Sequence, residues 1–327
     1  IPPKETRRFC GPTVPLARIP KFTYKNDEIF HATIEVSHFG NAVLDSTKTT
    51  YTIRDEYGKI YYKEISNNRT IPVGNCIQLG EVNYPLASIT SPAKLNLEVC
   101  IEGTHFANDW DFWVYPAVVE TNQGNVYITD TFNEKALETL ASGGNVLITA
   151  ARKITYGQGI VQQFTPVFWN TSWFKMRPPH TTGIWVNNNH PLFKNFPTEY
   201  HSNLQWWELL NNAQVMLFSD FAYEFEPLVQ SIDTWFLSRK IGTLFEAHVL
   251  NGKLMMTSMD ITTDLDNRIV ARQMRKAILD YMNSPHFRPV SHVKVQQIED
   301  LFRKPTPVIN MHTKQSPEEL KPSYNVK

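Results

Sequence analysis

The sequence carries no excess charge of either sign, because 32 Lys and Arg residues balance 32 Asp and Glu residues. Nucleic acids and anionic membranes usually bind basic surfaces, so this balance argues against both as partners. An apolar run of about 18 residues is also lacking, and we therefore predict no membrane-spanning helix. The first residues, Ile1 to Lys4, do not resemble a signal peptide. Since a proline-rich, coil-like segment follows them, we expect the chain to be a piece of a longer polypeptide.

Cysteine is scarce. Cys10, Cys76 and Cys100 are an odd set without a CxxC pair, so neither a disulfide framework nor a zinc site is indicated. Free cysteine is commonly a small core residue, and we expect buried free thiols. A disulfide between Cys76 and Cys100 is the alternative.

Catalytic and cofactor-binding motifs are missing as well. Gly157 and Gly159 begin a dinucleotide-binding pattern, but Gln162 stands at the third glycine position, which favours a plain loop. There is no GxSxG or GxCxG nucleophile motif and no HExxH pair of metal ligands. We therefore predict no cofactor, no metal site and no catalytic residue. An independent α/β hydrolase that uses an unrecognised serine, or Glu199 with His201, is kept as an alternative.

The first third of the sequence alternates apolar and polar residues in short runs, which is typical of β-strands. We predict strands at Ile29 to Ser37, Thr49 to Arg54, Lys59 to Ile65, Asn75 to Val82, Ala93 to Ile101 and within Glu102 to Pro116. Roughly seven short strands at this spacing indicate an immunoglobulin-like antiparallel β-sandwich. We place this domain at residues 23–117, after a linker at residues 1–22 from a preceding domain.

From residue 118 onward, strands alternate with helices. Asn125 to Thr129, Asn133 to Ser142 and Asn145 to Ala150 form a βαβ unit whose helix ends at Gly143-Gly144. Further strands are predicted at Thr182 to Val186, Ala213 to Phe218, Gly242 to His248 and Lys253 to Ser258, the last two joined by a hairpin, and a long helix at Asn267 to Asn283. We predict a mostly parallel, flavodoxin-like, doubly wound α/β domain at residues 118–290, followed by a helix and tail at residues 291–327.

Residues 164–210 contain five of the eight tryptophans, interleaved with amides, carboxylates and histidine. Aromatic faces stack on sugar rings and polar side chains bond their hydroxyls, so this composition is compatible with a carbohydrate-binding surface. Core packing is the more common reason for such a cluster, and both interpretations stay open. The residues of the candidate surface are Trp173, His201, Asn203, Trp206 and Trp207.

Two further tryptophans lie in the stretch from Glu102 to Pro116, which joins the two predicted domains. On a strand, Trp110 and Trp113 fall on opposite faces. We expect one to pack in the sandwich core and the other to fix the packing of the two domains. Replacement of the latter by alanine is expected to loosen that packing.

Five motifs in order resemble those of a known family: FCGPTVPLARIPKF, IPVGNCIQLGEV, EGTHFANDWDFWVYP, FTPVFWNTSWF and HPLFKNFPTEYHSNLQWWELL. Together they resemble the C-terminal region of the β-galactosidase-like, family 2 glycoside hydrolases of gut Bacteroidetes. The resemblance implies an immunoglobulin-like sandwich and a flavodoxin-like or class I glutamine-amidotransferase-like domain. It also implies a periplasmic, secreted or cell-surface location.

The resemblance does not bring a catalytic residue to this chain. The catalytic barrel of that family needs about 250 residues, more than remain after the sandwich. The nucleophilic cysteine of an amidotransferase-like domain is missing too, since no cysteine follows Cys100. We therefore expect a noncatalytic scaffold whose partners are the catalytic and sugar-binding domains of a parent β-galactosidase- or β-glucuronidase-type enzyme. A carbohydrate-binding module is the first alternative.

Overall fold

A computed structural model describes residues 2–160, 162, 164, 181, 183–211, 213–234 and 237–307. The chain divides into two compact units between Val118 and Val119. Each unit is described by itself below. No helix within the described ranges is long and apolar enough to cross a membrane.

The described part of the first unit consists of one short α-helix, a 3₁₀ turn at Leu86–Ser88 and ten strands. The helix is α1 (Pro3–Phe9), and the strands are β1 (Thr13–Arg18), β2 (Thr23–Lys25), β3 (Ile29–His38), β4 (Leu44–Thr47), β5 (Thr49–Asp55), β6 (Ile60–Ile65), β7 (Arg69–Ile71), β8 (Gly74–Pro85), β9 (Ala93–Ile101) and β10 (Ala107–Tyr115). Three strands form one sheet in the order β1-β3-β8, and five form another in the order β2-β10-β9-β5-β6. Strands β4 and β7 pair separately.

The two larger sheets of the first unit enclose one apolar core. Alternate residues of β3 are buried, among them Phe30, Ile34 and Val36, as the period of two along the sequence predicts. They pack with the buried side chains of β5, β9 and β10 from the other sheet. The rings of Phe30 and Phe112 stack with centroids 4.1 Å apart. The unit is therefore a β-sandwich in which pairing is antiparallel except between β2 and β10.

The predicted linker at residues 1–22 contains ordered structure instead. Helix α1 lies there, and β1 pairs antiparallel with β3 from Thr13 to Arg18. The proline at position 15 made this segment look like coil, but β1 is an edge strand, where a missing backbone donor is tolerated. The three cysteines are free, yet Cys10 and Cys76 are exposed, so the expectation that all three are buried is wrong. Burial raises the pKa of the half-buried Cys100 thiol.

The second unit is built on one mixed sheet. Its strands are β11 (Val126–Thr129), β12 (Asn145–Thr149), β13 (Ile184–Val186), β14 (Met216–Leu217), β15 (Val229–Ser231), β16 (Ile241–Val249) and β17 (Gly252–Thr257). The order is β11-β12-β17-β16-β15-β13, with β14 also pairing with β16. The described helices are α2 (Glu134–Ala141), α3 (Trp206–Leu210), α4 (Ile269–Met282) and α5 (Val295–Arg303), with a 3₁₀ turn at Pro191–Asn195.

Only part of this sheet is parallel. Strand β12 pairs parallel with β11 and β17, whereas the other pairings are antiparallel. The prediction of a mostly parallel sheet is therefore wrong. The predicted hairpin at Leu250 and Asn251 accounts for the antiparallel pairing of β16 with β17, and β13, β14 and β15 add further antiparallel pairs that the sequence did not indicate. The chain is β-rich and multidomain, with few helices and a mixed sheet.

The βαβ unit at the start of the second unit is confirmed. Strands β11 and β12 are parallel neighbours, and α2 connects them. The Asn133 side chain accepts a hydrogen bond from the backbone N–H of Ala136, which caps the start of α2. Ala136 and Leu140 bury the inner face of the helix in a core shared with β12, β16 and β17. Helix α5 also packs on this core, through Ile298 and Leu301.

Candidate functional site

The structure separates two neighbouring tryptophans of the candidate surface. Trp206 is fully buried: its indole N–H donates to Thr198 Oγ1 over 2.8 Å, and its ring meets Phe196 edge-on with centroids 5.4 Å apart. A fully buried ring offers no face to a ligand, so Trp206 is a core residue and its inclusion in the candidate surface is corrected. Trp173 lies outside the described residues.

Trp207 points the other way. Successive residues of a helix are about 100° apart, so Trp207 can leave the core that buries Trp206. Trp207 is 60% exposed, and its ring contacts Phe164 edge-on, with centroids 5.6 Å apart. The large indole face is thereby held in place while it remains open to solvent.

Two further aromatic residues, which the sequence analysis did not include in the candidate surface, lie beside His201. Trp185 forms an antiparallel bridge with His201, and the N–H of Val186 donates to the carbonyl oxygen of Tyr200 over 2.9 Å. The Tyr200 ring is 63% exposed and stacks on the exposed His201 ring, with centroids 4.9 Å apart and planes at 28°. The sequence did contain a signal for Trp185, since it lies between the apolar Ile184 and Val186 on a predicted strand and so falls on the face opposite to theirs, which the structure buries.

A hydrogen bond joins these residues to the neighbourhood of Trp207. Ser202 Oγ donates to the carbonyl oxygen of Phe164 over 2.9 Å, and the Phe164 ring contacts Trp207. We call Trp185, Tyr200, His201 and Trp207 the aromatic surface. It presents three large rings to solvent on strand β13, helix α3 and the segment between them.

Polar side chains of the same segment have different roles. The Asn203 amide donates to the Glu199 carboxylate beside the aromatic surface. Gln205 is buried and donates to the carbonyl oxygen of Pro197 over 2.7 Å, so it supports the backbone. Of these three residues, Glu199 and Asn203 are partly exposed, and along the chain they flank two members of the aromatic surface.

Glu208 belongs to the packing between α3 and α4. Its Oε1 lies 3.2 Å from Arg268 Nε and accepts a hydrogen bond from the N–H of Ala271, also over 3.2 Å. Burial raises the pKa of Glu208, although Arg268 and the backbone donors act in the opposite direction. The carboxylate therefore connects α3 to the first turn of α4.

The residues near Glu199 and His201 do not form an activated nucleophile within the described ranges. The Ser202 hydroxyl donates to the carbonyl oxygen of Phe164 and the Thr198 hydroxyl to that of Glu199, so neither donates to the His201 imidazole. Among the described residues there is also no group of three or more His, Cys, Asp or Glu side chains that could hold a metal ion.

A second polar cluster connects α4 to the sheet. The Tyr281 hydroxyl donates to Glu246 Oε2 over 2.8 Å, and His190 Nε2 lies 3.3 Å from the phenol oxygen and 3.5 Å from Glu246 Oε1. Burial, followed by the nearby Glu246 charge, raises the pKa of Tyr281 well above its ordinary value. The phenol therefore stays protonated and serves as a structural donor.

Comparisons with known proteins add a family and some distant structural neighbours. The model of a domain of unknown function (DUF8487) matches residues 127–303, and that of a second domain of unknown function (DUF8488) matches residues 28–116. No curated protein matches the sequence.

The structural neighbours include glycoside hydrolases, all at low similarity. The β-glucuronidase of Parabacteroides merdae has 10% identity and a TM-score of 0.25, over 43% of this chain and 22% of that one. The sporulation control protein Spo0M of Bacillus subtilis has 12% identity and a TM-score of 0.23, over 32% and 50%. A family 123 glycoside hydrolase of Clostridium perfringens has 10% identity and a TM-score of 0.22, over 44% and 35%. Likenesses this weak establish neither a shared fold nor a shared activity.

Proposed function

This chain belongs to the family described as a domain of unknown function (DUF8487), and we propose that it is a noncatalytic accessory region of a carbohydrate-degrading protein. In this proposal it binds glycan through the aromatic surface of its second unit. The observation that carries the proposal is the exposure of Trp207 and Tyr200, which are 60% and 63% accessible although each ring is held by an aromatic neighbour.

The chemistry of the aromatic surface matches that of a sugar. The C–H faces of a pyranose ring are apolar, and flat aromatic rings cover them without a polar penalty. The hydroxyl groups at the ring edge need hydrogen-bond partners, for which Glu199 and Asn203 are the nearest candidates. An exposed aromatic group of this size otherwise costs free energy, because it leaves apolar area in water.

The scaffold part of the proposal rests on the five sequence motifs that resemble family 2 glycoside hydrolases. It assigns catalysis to a barrel elsewhere in a parent protein of the β-galactosidase or β-glucuronidase type. Its partners would be the barrel and the sugar-binding domains of that parent, in the periplasm or at the cell surface. An unrelated hydrolase in the second unit is disfavoured by the lack of a paired nucleophile and base near His201 among the described residues.

Titration of the intrinsic tryptophan fluorescence with galactan, xylan and glucuronate-containing oligosaccharides tests the binding proposal. We expect at least one glycan to cause a saturable shift of the fluorescence spectrum at a millimolar or lower concentration of sugar residues. Trp207→Ala is expected to weaken binding about fivefold, since one aromatic contact contributes about 1 kcal/mol. Tyr200→Ala is expected to act in the same direction.

Tyr57→Ala is the matched control, because Tyr57 is 88% exposed but lies in a turn of the first unit. It should leave glycan affinity unchanged. An unchanged spectrum with every glycan, or equal effects of Tyr57→Ala and Tyr200→Ala, would refute the binding proposal. Turnover of chromogenic β-galactosides or β-glucuronides that survives repurification would instead support an enzyme.

A further inference from the structure

The first unit contains a cleft that the aromatic surface does not involve. It has a volume of about 670 Å³ and lies between helix α1 and the hairpin of β9 and β10. Lys4, Arg7, Arg8, Glu98 and His105 are among its lining residues. Small-molecule sites in proteins commonly have volumes of about 300 to 1,000 Å³, so the cleft is large enough for a metabolite or a sugar unit.

One wall of the cleft is fixed by ion pairs. Arg8 Nη2 donates to Glu98 Oε1 over 2.8 Å, and Arg8 Nε lies 3.1 Å from Asp109 Oδ1. Arg54 Nη2 approaches Glu98 from the other side, at 3.1 Å. The two carboxylates are therefore matched by two guanidinium groups, and these contacts hold α1 against strands β9 and β10.

The remaining cations of the cleft have no such partner. Within the described part of the chain, Lys4 and Arg7 make no ion pair or side-chain hydrogen bond. The His105 ring makes no hydrogen bond or ion pair there either, and it contacts the ring of the adjacent Phe106, with centroids 4.4 Å apart. Among the described residues that line the cleft, Glu5 is the only acidic one besides Glu98. The cleft thus has two permanently charged cations and an imidazole available, against one free carboxylate.

We propose that this cleft binds a small organic anion through a carboxylate group. A guanidinium presents N–H donors in a planar fork that fits the two oxygens of a carboxylate, and Lys4 and His105 supply further donors around it. The ion pairs of Arg8 fix one wall of the cleft, and a wall that is already ordered lowers the entropy cost of binding. This proposal does not depend on glycan binding at the aromatic surface.

Calorimetric titration of the full chain at low ionic strength tests the proposal. Glucuronate and citrate are the anionic probes, and glucose is the neutral counterpart of the first. We expect millimolar or tighter binding of glucuronate, at least tenfold weaker binding of glucose, and loss of affinity as salt is added. If citrate binds as tightly as glucuronate, the site recognises carboxylates in general. If citrate binds more weakly than glucuronate, the site prefers acidic sugars.

Arg7→Gln is the decisive variant, because the Arg7 side chain is exposed and has no structural partner among the described residues. We expect it to weaken glucuronate binding about tenfold, as for loss of one charge-assisted hydrogen bond. Arg303→Gln removes the same charge from a side chain that is 72% exposed in the second unit, and it should have no effect. His105→Gln provides a second test of the same cleft.

Three results would overturn the proposal: no heat with either anion, equal affinity for glucose and glucuronate, or equal effects of Arg7→Gln and Arg303→Gln. Trp207→Ala should leave anion binding unchanged. The failure of this proposal is therefore distinguishable from the failure of glycan binding at the aromatic surface.

Discussion

Asp260 shows how one buried residue organises the segment after strand β17. It is 3% exposed, and its carboxylate accepts hydrogen bonds from the backbone N–H groups of Thr262 and Thr263 and from the Thr263 hydroxyl. Arg268 Nη1 lies 3.4 Å from Oδ1. Burial alone would raise the pKa of Asp260, but these donors and the Arg268 charge lower the pKa to about 2. The folded state thus holds the charged form.

Asp260→Asn is expected to lower the free energy of unfolding by about 2 kcal/mol at pH 7, given the fall in pKa from 3.8 to about 2. Because the pKa of Asp260 is lower in the folded state, its charged carboxylate stabilises the fold fully only at a pH above the pKa of the unfolded state. The difference in the free energy of unfolding between variant and parent should therefore shrink as the pH falls from about 4 to about 2. Urea denaturation at a series of pH values measures it. Asp266→Asn, at an exposed position, should leave the free energy of unfolding unchanged. A loss of stability in Asp260→Asn that stays the same at every pH would contradict the explanation.

The contrast between Trp206 and Trp207 is also decided at the scale of single residues. Both have the same side chain, and both stand in a polar and aromatic run, so composition could not separate them. The structure buries one and exposes the other because α3 packs one face against Phe196 and α4. Helix α3 is too short, at five residues, for its sequence period to reveal which face is inside.

At the scale of elements, the end of α2 is the best example of sequence that specifies local structure. Gly143 has φ of +85°, its N–H donates to the carbonyl oxygen of Leu140, and that of Gly144 donates to Thr139 over 2.8 Å. These are the two hydrogen bonds of a Schellman motif. The glycine pair predicted this helix end correctly because few other residues adopt that backbone conformation.

Gly143→Ala is expected to lower the free energy of unfolding by about 1 kcal/mol through the left-handed backbone alone. An added Cβ would have its nearest atom, the Asn251 carbonyl oxygen, at 3.7 Å, so no clash contributes. Thermal or urea denaturation measures the loss. Gly74→Ala is the control, because its Cβ would also find free space and its φ is not positive, and an equal loss there would refute this reason.

Other elements show where sequence patterns were insufficient. Alternation located β3, β5 and β9 to within about one residue, since each has one face in the core. It missed β1 because Pro15 is typical of coil. It could not give the directions of pairing in the sheet of the second unit, because β16 is buried over most of its length, which is typical of a parallel strand, yet it pairs antiparallel with β15 and β17.

At the scale of the whole molecule, each unit has a core of its own. Buried side chains of β3, β5, β8, β9 and β10 form the core of the first unit, and a separate core in the second unit joins α2, α5 and the mixed sheet. A unit with a complete core is expected to fold alone.

We therefore expect residues 1–118 and 119–327, expressed separately, each to unfold in one cooperative urea transition. Far-ultraviolet circular dichroism and intrinsic fluorescence should give coincident curves for each piece. A piece without a cooperative transition would show that its core is incomplete without the other unit.

The sequence by itself determined the local structure and the kind of chemistry available. Period-two runs specified strands, Gly143-Gly144 ended a helix, and the tryptophans among amides and carboxylates indicated a surface that could stack on sugars. These signals are local, since each depends on residues a few positions apart.

Only the tertiary structure decided which of those side chains a ligand can reach. Trp206 entered the core, Trp207 and Tyr200 stayed in solvent, and Arg7 was left without a partner at a cleft formed by α1 and the β9–β10 hairpin. The physical reason is that exposure and charge pairing depend on neighbours distant in the sequence. Arg8 and Glu98, for example, are 90 positions apart.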